Sequence, residues 1–117
     1  MAPFIDARLP LVFGEPSEAG ALDALLFEGE GDPAPGRDWF LPAPETAHPA
    51  GCACCMSRNA AGIALSRLLL ARARGQLPFF RRVIAVTLTP AGRAAVLEAL
   101  RTDPLASSCF VHDEIAR

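Results

Sequence analysis

No lysine occurs in this 117-residue chain, and all eleven basic side chains are arginine. That absence excludes a P-loop, whose Gly-x-x-x-x-Gly-Lys-Ser/Thr pattern needs the ammonium to reach the phosphates, and arginine does not replace it there. Tyrosine is absent too, which removes one catalytic acid. Histidine occurs twice, at His48 and His112. A cysteine nucleophile would therefore have few bases to pair with, and no cysteine-hydrolase signature accompanies either histidine. No apolar run approaches the roughly 20 residues of a membrane span, so no membrane association is expected. The opening Met1-Ala2-Pro3-Phe4-Ile5-Asp6 lacks the basic and apolar regions of a signal peptide. A cytoplasmic location is expected, where thiols stay reduced. Neither an internal repeat nor a low-complexity tail is present.

Charge is divided along the chain. Residues 1–51 carry nine acids and two arginines, a net of −7, and residues 52–117 carry four acids and nine arginines, a net of +5. An acidic first half argues against nucleic acid as a partner. Half of the composition is apolar, which fits one globular domain spanning 1–117.

Residues 9–13 form an apolar run ending at Gly14 and read as a buried strand, with Pro10 at its start or on an edge. An acidic, turn-rich loop follows over 14–20. Leu22, Leu25 and Leu26 fall at helical spacing, predicting a short helix over 21–27. Glycine and proline then mark a flexible connector near 29–50, interrupted by a brief strand over 39–41. Residues 60–74 read as a helix capped by Ser57 or Asn59, with Ala61, Leu65, Leu68 and Leu69 on one face and Gly75 at C′. The β-branched run 83–88 reads as a central strand buried on both faces. Thr89-Pro90 supplies an N-cap and N1 for a helix reaching about Arg101. Asp103-Pro104 ends it, and 107–111 is a candidate last strand. Strands alternating with helices imply an α/β fold: a small three-layer domain with a mostly parallel sheet.

The chemistry concentrates in Gly51-Cys52-Ala53-Cys54-Cys55. Thiolates are soft ligands suited to zinc or Cu(I), and zinc takes four N, S or O donors. Cys52 and Cys54 can converge on one ion, whereas the adjacent Cys54 and Cys55 point apart in most backbone conformations. Further donors could come from His48, or from Glu15 and Glu18 after the first strand, since loops at the carboxyl ends of parallel strands gather ligands. The plainer alternative is that these thiols are small buried hydrophobes. Cys109, inside an apolar run, reads as core.

The order of these pieces resembles the CobW-type GTPases, a family of P-loop metallochaperones. Gly14-Glu15-Pro16-Ser17-Glu18-Ala19-Gly20 with Asp23 resembles the family's switch loop, Asn-Glu-x-Gly-Glu-x-Gly then Asp. Gly51-Cys52-Ala53-Cys54-Cys55 matches its Gly-Cys-x-Cys-Cys motif completely. Arg82-Val83-Ile84-Ala85-Val86-Thr87-Leu88-Thr89 and Asp103-Pro104-Leu105 resemble its later strand, Arg-Val-Val-Ile-Glu-Thr-Thr-Gly, and the Asp-Pro-Leu that ends the next helix. The likeness covers about residues 9–111. Departures are large: the first strand and P-loop are missing, Val86 replaces a Glu, Thr89 a Gly and Gly14 an Asn, and the lysine-dependent guanine-reading segment cannot exist. The resemblance implies part of a P-loop GTPase fold without nucleotide, without GTP hydrolysis and without other enzyme activity. It also implies a zinc-type ion held by Cys52, Cys54 and Cys55 with Glu15 and Glu18. The alternative expectation is a non-catalytic regulatory subunit, pairing with itself or with an intact CobW-like partner through an exposed sheet edge.

Overall fold

The computed structural model describes residues 8–34, 36–42, 59–75 and 79–113. Among these residues five strands form one sheet, β1 (Leu9–Phe13), β2 (Asp23–Glu28), β3 (Arg37–Phe40), β4 (Arg82–Val86) and β5 (Phe110–His112). The order across the sheet is β3-β2-β4-β1-β5, and every pair is parallel. The described residues also form three α-helices, α1 (Ala60–Ala73), α2 (Pro90–Thr102) and α3 (Pro104–Cys109). The domain is thus α/β with a parallel sheet. No described helix is long and apolar enough to cross a membrane.

The three helices pack on one another and on one face of the sheet. Leu11, Leu26, Val83 and Phe110 alternate onto that face and join Leu65, Leu68 and Val96 in the core. Each such side chain, fully buried, contributes roughly 1.5–3 kcal/mol. Val12 and Ile84 are buried on the opposite face. There the connection after β1 brings Gly14 over Ile84, and Gly31 of the β2–β3 connection lies on the Trp39 ring. Trp39 also stacks on Phe27, with ring centroids 4.5 Å apart. Cys109 packs against the helical side of the core as a free thiol.

Two elements differ from the sequence expectation. Residues 21–27 are not a helix, because the segment forms β2, between β3 and β4. Ala24, Leu26 and Glu28 are buried and Leu25 and Phe27 half-buried, the alternation of a strand with neighbours on both edges. A helix of seven residues has little stability of its own, and sheet pairing outweighs the leucine spacing. Residues 107–109 belong to α3, with only Phe110–His112 in the strand. Asp103-Pro104 ends α2 and also begins α3: the Asp103 side chain accepts the Ala106 N–H at 2.9 Å and Pro104 takes N1.

The remaining elements follow the expectation with small shifts. The brief strand is Arg37–Phe40, and β4 ends at Val86, leaving Leu88 75% exposed. Pro10 is the second residue of β1, opposite Val111. Asn59 caps α1, Thr89 caps α2, and Gly75 adopts φ 71° beyond the end of α1. Ser57 lies outside the described residues.

Candidate functional site at the carboxyl edge of the sheet

All five strands run the same way, so the connections that follow them leave from one edge of the sheet, where open α/β folds gather ligands. On that edge, beside the central strand β4, lies Glu28, the last residue of β2, only 7% exposed. Its Oε1 accepts the main-chain N–H groups of Leu88 (2.6 Å) and Thr89 (2.9 Å), and its Oε2 accepts the Thr89 hydroxyl (2.6 Å). Thr89 Oγ1 in turn accepts the Gly92 N–H at 3.0 Å. The carboxylate thus finishes the head of α2, where the helix dipole favours negative charge. Burial works to raise its pKa, but the Thr89 hydroxyl and the Leu88 and Thr89 amides outweigh it and hold the carboxyl below its ordinary value. Gly92 leaves room for this carboxylate, since a Cβ there would collide with Glu28 Oε1.

Beside Glu28, the carboxyl ends of β2 and β3 border an open cleft of about 560 Å³. Glu30, Asp32, Trp39 and Leu41 contribute to its walls. Within β3, Asp38 is buried on the helical face and receives two bonds from Arg67 of α1, both at 2.8 Å. The Arg67 guanidinium is correspondingly held above its ordinary pKa by the Asp38 hydrogen bonds, against the opposing effect of burial.

Asp38 and Arg67 also close the outer edge of β3. The Arg37 N–H donates to Ala34 C=O (2.9 Å) and the Ala34 N–H returns a bond to Arg37 C=O (3.2 Å). The Trp39 N–H donates to Asp38 Oδ1 (2.7 Å), and Trp39 C=O accepts from Arg67 Nη2 (3.4 Å). Strand addition there would have to displace these bonds.

Glu15 and Glu18 are both exposed, Glu15 capping and Glu18 ending a single 3-10 turn, Pro16–Glu18, after β1. Glu18 Oε1 accepts the Glu15 N–H at 2.8 Å, so this carboxylate shapes its own loop. Two strands, β4 and β2, separate β1 from β3, which sets the ends of β1 and β3 about 14 Å apart at the usual strand spacing. Cys52, Cys54, Cys55 and His48 lie outside the described residues, between Pro42 after β3 and Asn59 at the head of α1. Among the described residues, no three His, Cys, Asp or Glu side chains gather as a metal ion would require.

The sequence reading passed over Glu28, Glu30 and Asp32. Glu28 carried one usable signal, a carboxylate ending an apolar run. Its partners at Leu88 and Thr89 are 60 and 61 residues away, beyond any local pattern. Compared with protein families, curated proteins and solved structures, the chain matches none.

Proposed function

We propose that this chain is a nucleotide-independent metal-binding protein, in which Cys52, Cys54 and Cys55 hold a zinc-type ion. Glu15 and Glu18 are the carboxylates that the CobW resemblance would add to them. The observation carrying the reading is the thiol triplet itself, Gly51-Cys52-Ala53-Cys54-Cys55, in the connection from the carboxyl end of β3 to α1. Three soft donors within four residues suit zinc or Cu(I). A fourth donor is needed, and Glu30 and Asp32 stand at the edge from which that connection departs.

The nucleotide-independent part of the reading is supported by Glu28. The amides that precede α2 are the groups a phosphate would use at the head of a helix after a central strand. Here the chain's own carboxylate already accepts them, and with no lysine to balance a phosphate the site disfavours a second anion. Zinc titration of the reduced protein against a chromophoric chelator tests the reading, with the Cys52→Ser/Cys54→Ser variant alongside. Tight binding that the variant loses is the expected result, and no binding by the wild type would sink the proposal.

A regulatory subunit that pairs through a sheet edge is the second reading, and β5 favours it. The Asp113 N–H donates to Leu11 C=O, so by alternation the main-chain groups of His112 point away from β1, toward the open edge. Such an edge can accept a strand from a second copy or from an intact CobW-like partner. Size-exclusion chromatography over a dilution series, with and without such a partner, reads this out. A strict monomer that captures no partner would remove it.

A further inference from the structure

The two ends of β2 carry opposite chemistry. Past its carboxyl end, the cleft beside β3 is walled by the exposed carboxylates of Glu30 and Asp32, by the Trp39 indole and by exposed Leu41. Neither carboxylate has a basic partner among the described residues. The Trp39 Nε1–H is buried and has no hydrogen-bond acceptor, although buried donors are nearly always paired because leaving one unpaired is costly. The cleft thus offers negative charge to a cation and a donor to an acceptor, beside an aromatic wall.

Ahead of the amino end of β2 the signs are reversed. Leu22 is exposed there, and its carbonyl accepts the Arg81 N–H at 2.8 Å. Phe79 is 60% exposed, with the Arg72 guanidinium over its ring, 3.7 Å from the centroid. Arg72 Nε also donates to the Phe80 carbonyl at 2.8 Å, which fixes the stack. Arg81 is exposed, as is Arg74 at the end of α1. The neighbouring acid, Asp23, is already paired with Arg82. What remains is an exposed aromatic ring accompanied by arginines.

The two patches cannot meet within one chain, because the six residues of β2 hold them about 20 Å apart. We propose that they meet between copies of this chain. Phe79, Arg72 and Arg81 of one copy enter the cleft of Glu30, Asp32 and Trp39 on the next, head to tail along β2. Guanidinium groups then face carboxylates, Phe79 extends the aromatic wall, and the entering main chain supplies carbonyls for the Trp39 donor. Such a contact is heterologous: each pair leaves a free knob at one end and a free cleft at the other, so growth continues past the dimer. Its charges are exposed, which makes it sensitive to salt, and its small patches put it among weak, transient contacts. It involves neither the cysteines nor the β5 edge.

Sedimentation of the full chain, kept reduced, over concentrations up to about 1 mM tests this. Trp39 is the chain's only tryptophan, so its fluorescence reports on the cleft directly. Glu30→Arg/Asp32→Arg reverses the cleft, and Phe79→Ser/Arg81→Glu removes the knob. All four positions are exposed, and far-UV circular dichroism checks that both variants fold. At low salt the mass of the wild type should rise with concentration, with Trp39 emission shifting in parallel, and added salt should reverse both. Each variant alone should associate at least about tenfold more weakly. Mixed in equal amounts, the two should form a 1:1 dimer and nothing larger, since one keeps only the knob and the other only the cleft. A wild type that stays monomeric at low salt, or a mixture that remains monomeric, overturns the proposal. Association that survives in both variants with Trp39 emission unchanged overturns it as well, and assigns self-pairing to another surface such as β5.

Discussion

Thr89 grips the Glu28 carboxylate with two groups, its main-chain N–H at 2.9 Å and its hydroxyl at 2.6 Å. With the Leu88 N–H this makes three donors to one buried acid. The pair links the end of β2 to the head of α2 and closes the middle of the carboxyl edge. Burying a carboxylate is costly unless it is hydrogen-bonded, and here the bonds exceed that cost, which is why its pKa is lowered.

Stability should therefore depend on Glu28 ionisation. Its folded pKa lies below its unfolded value, so between the two the unfolded chain binds more protons and stability rises with pH. The contribution is fully present above the unfolded value of about 4.3 and is lost as pH falls through the folded one. Asp23 adds to the trend, because its hydrogen bonds from Arg82, 2.7 and 3.0 Å long, lower its pKa against burial. Glu28→Gln should cost about 2–3 kcal/mol at pH 7 by presenting an amide donor where donors already converge. The gap should narrow as pH falls through the lowered folded pKa, where the wild type loses its own carboxylate. Denaturant midpoints over pH 3–7 measure this, and a gap that stays constant with pH would contradict it.

Gly92→Ala should destabilise, against the usual preference of helices for alanine. Propensity alone would gain up to about 1 kcal/mol. The new methyl would meet Glu28, and overpacking of this kind costs about 1–3 kcal/mol. Adding Glu28→Ala should remove most of the Gly92→Ala penalty, so a double-mutant cycle by chemical denaturation should show strong coupling. Additive effects would mean that the helix head moves aside instead.

The closed edge of β3 yields a third prediction. Arg67→Ala leaves Asp38 buried without its cation and should cost on the order of 2 kcal/mol. Asp38→Ala also frees the Trp39 N–H that Asp38 Oδ1 now accepts. That variant should associate with rising concentration in sedimentation experiments, while Arg67→Ala associates less. If both stay monomeric throughout, the shortness of β3, rather than its side-chain closure, is what prevents strand addition.

Much of the frame was legible in the sequence because its signals are local. Asn59 and Thr89-Pro90 announce α1 and α2 through groups within three residues of each cap. The β-branched Val83-Ile84 run announces a strand buried on both faces, and β4 has neighbours on both edges. The candidate site was legible only as composition, in the cysteine triplet. Glu15 and Glu18 were named from a motif, and the structure gives Glu18 a role in its own turn.

The sequence by itself determined where α1 and α2 begin, that the β-branched run at Val83 is a central strand and that the sheet is mostly parallel, since caps and periodicity act between near neighbours. Tertiary structure alone decided that residues 23–28 are a strand, because β4 on one side and β3 on the other supply the hydrogen bonds that leucine spacing cannot predict. It alone also sent Glu28 to the head of α2. That destination depends on donors 60 and 61 residues along the chain, brought within bonding distance only when β2 and β4 lie side by side.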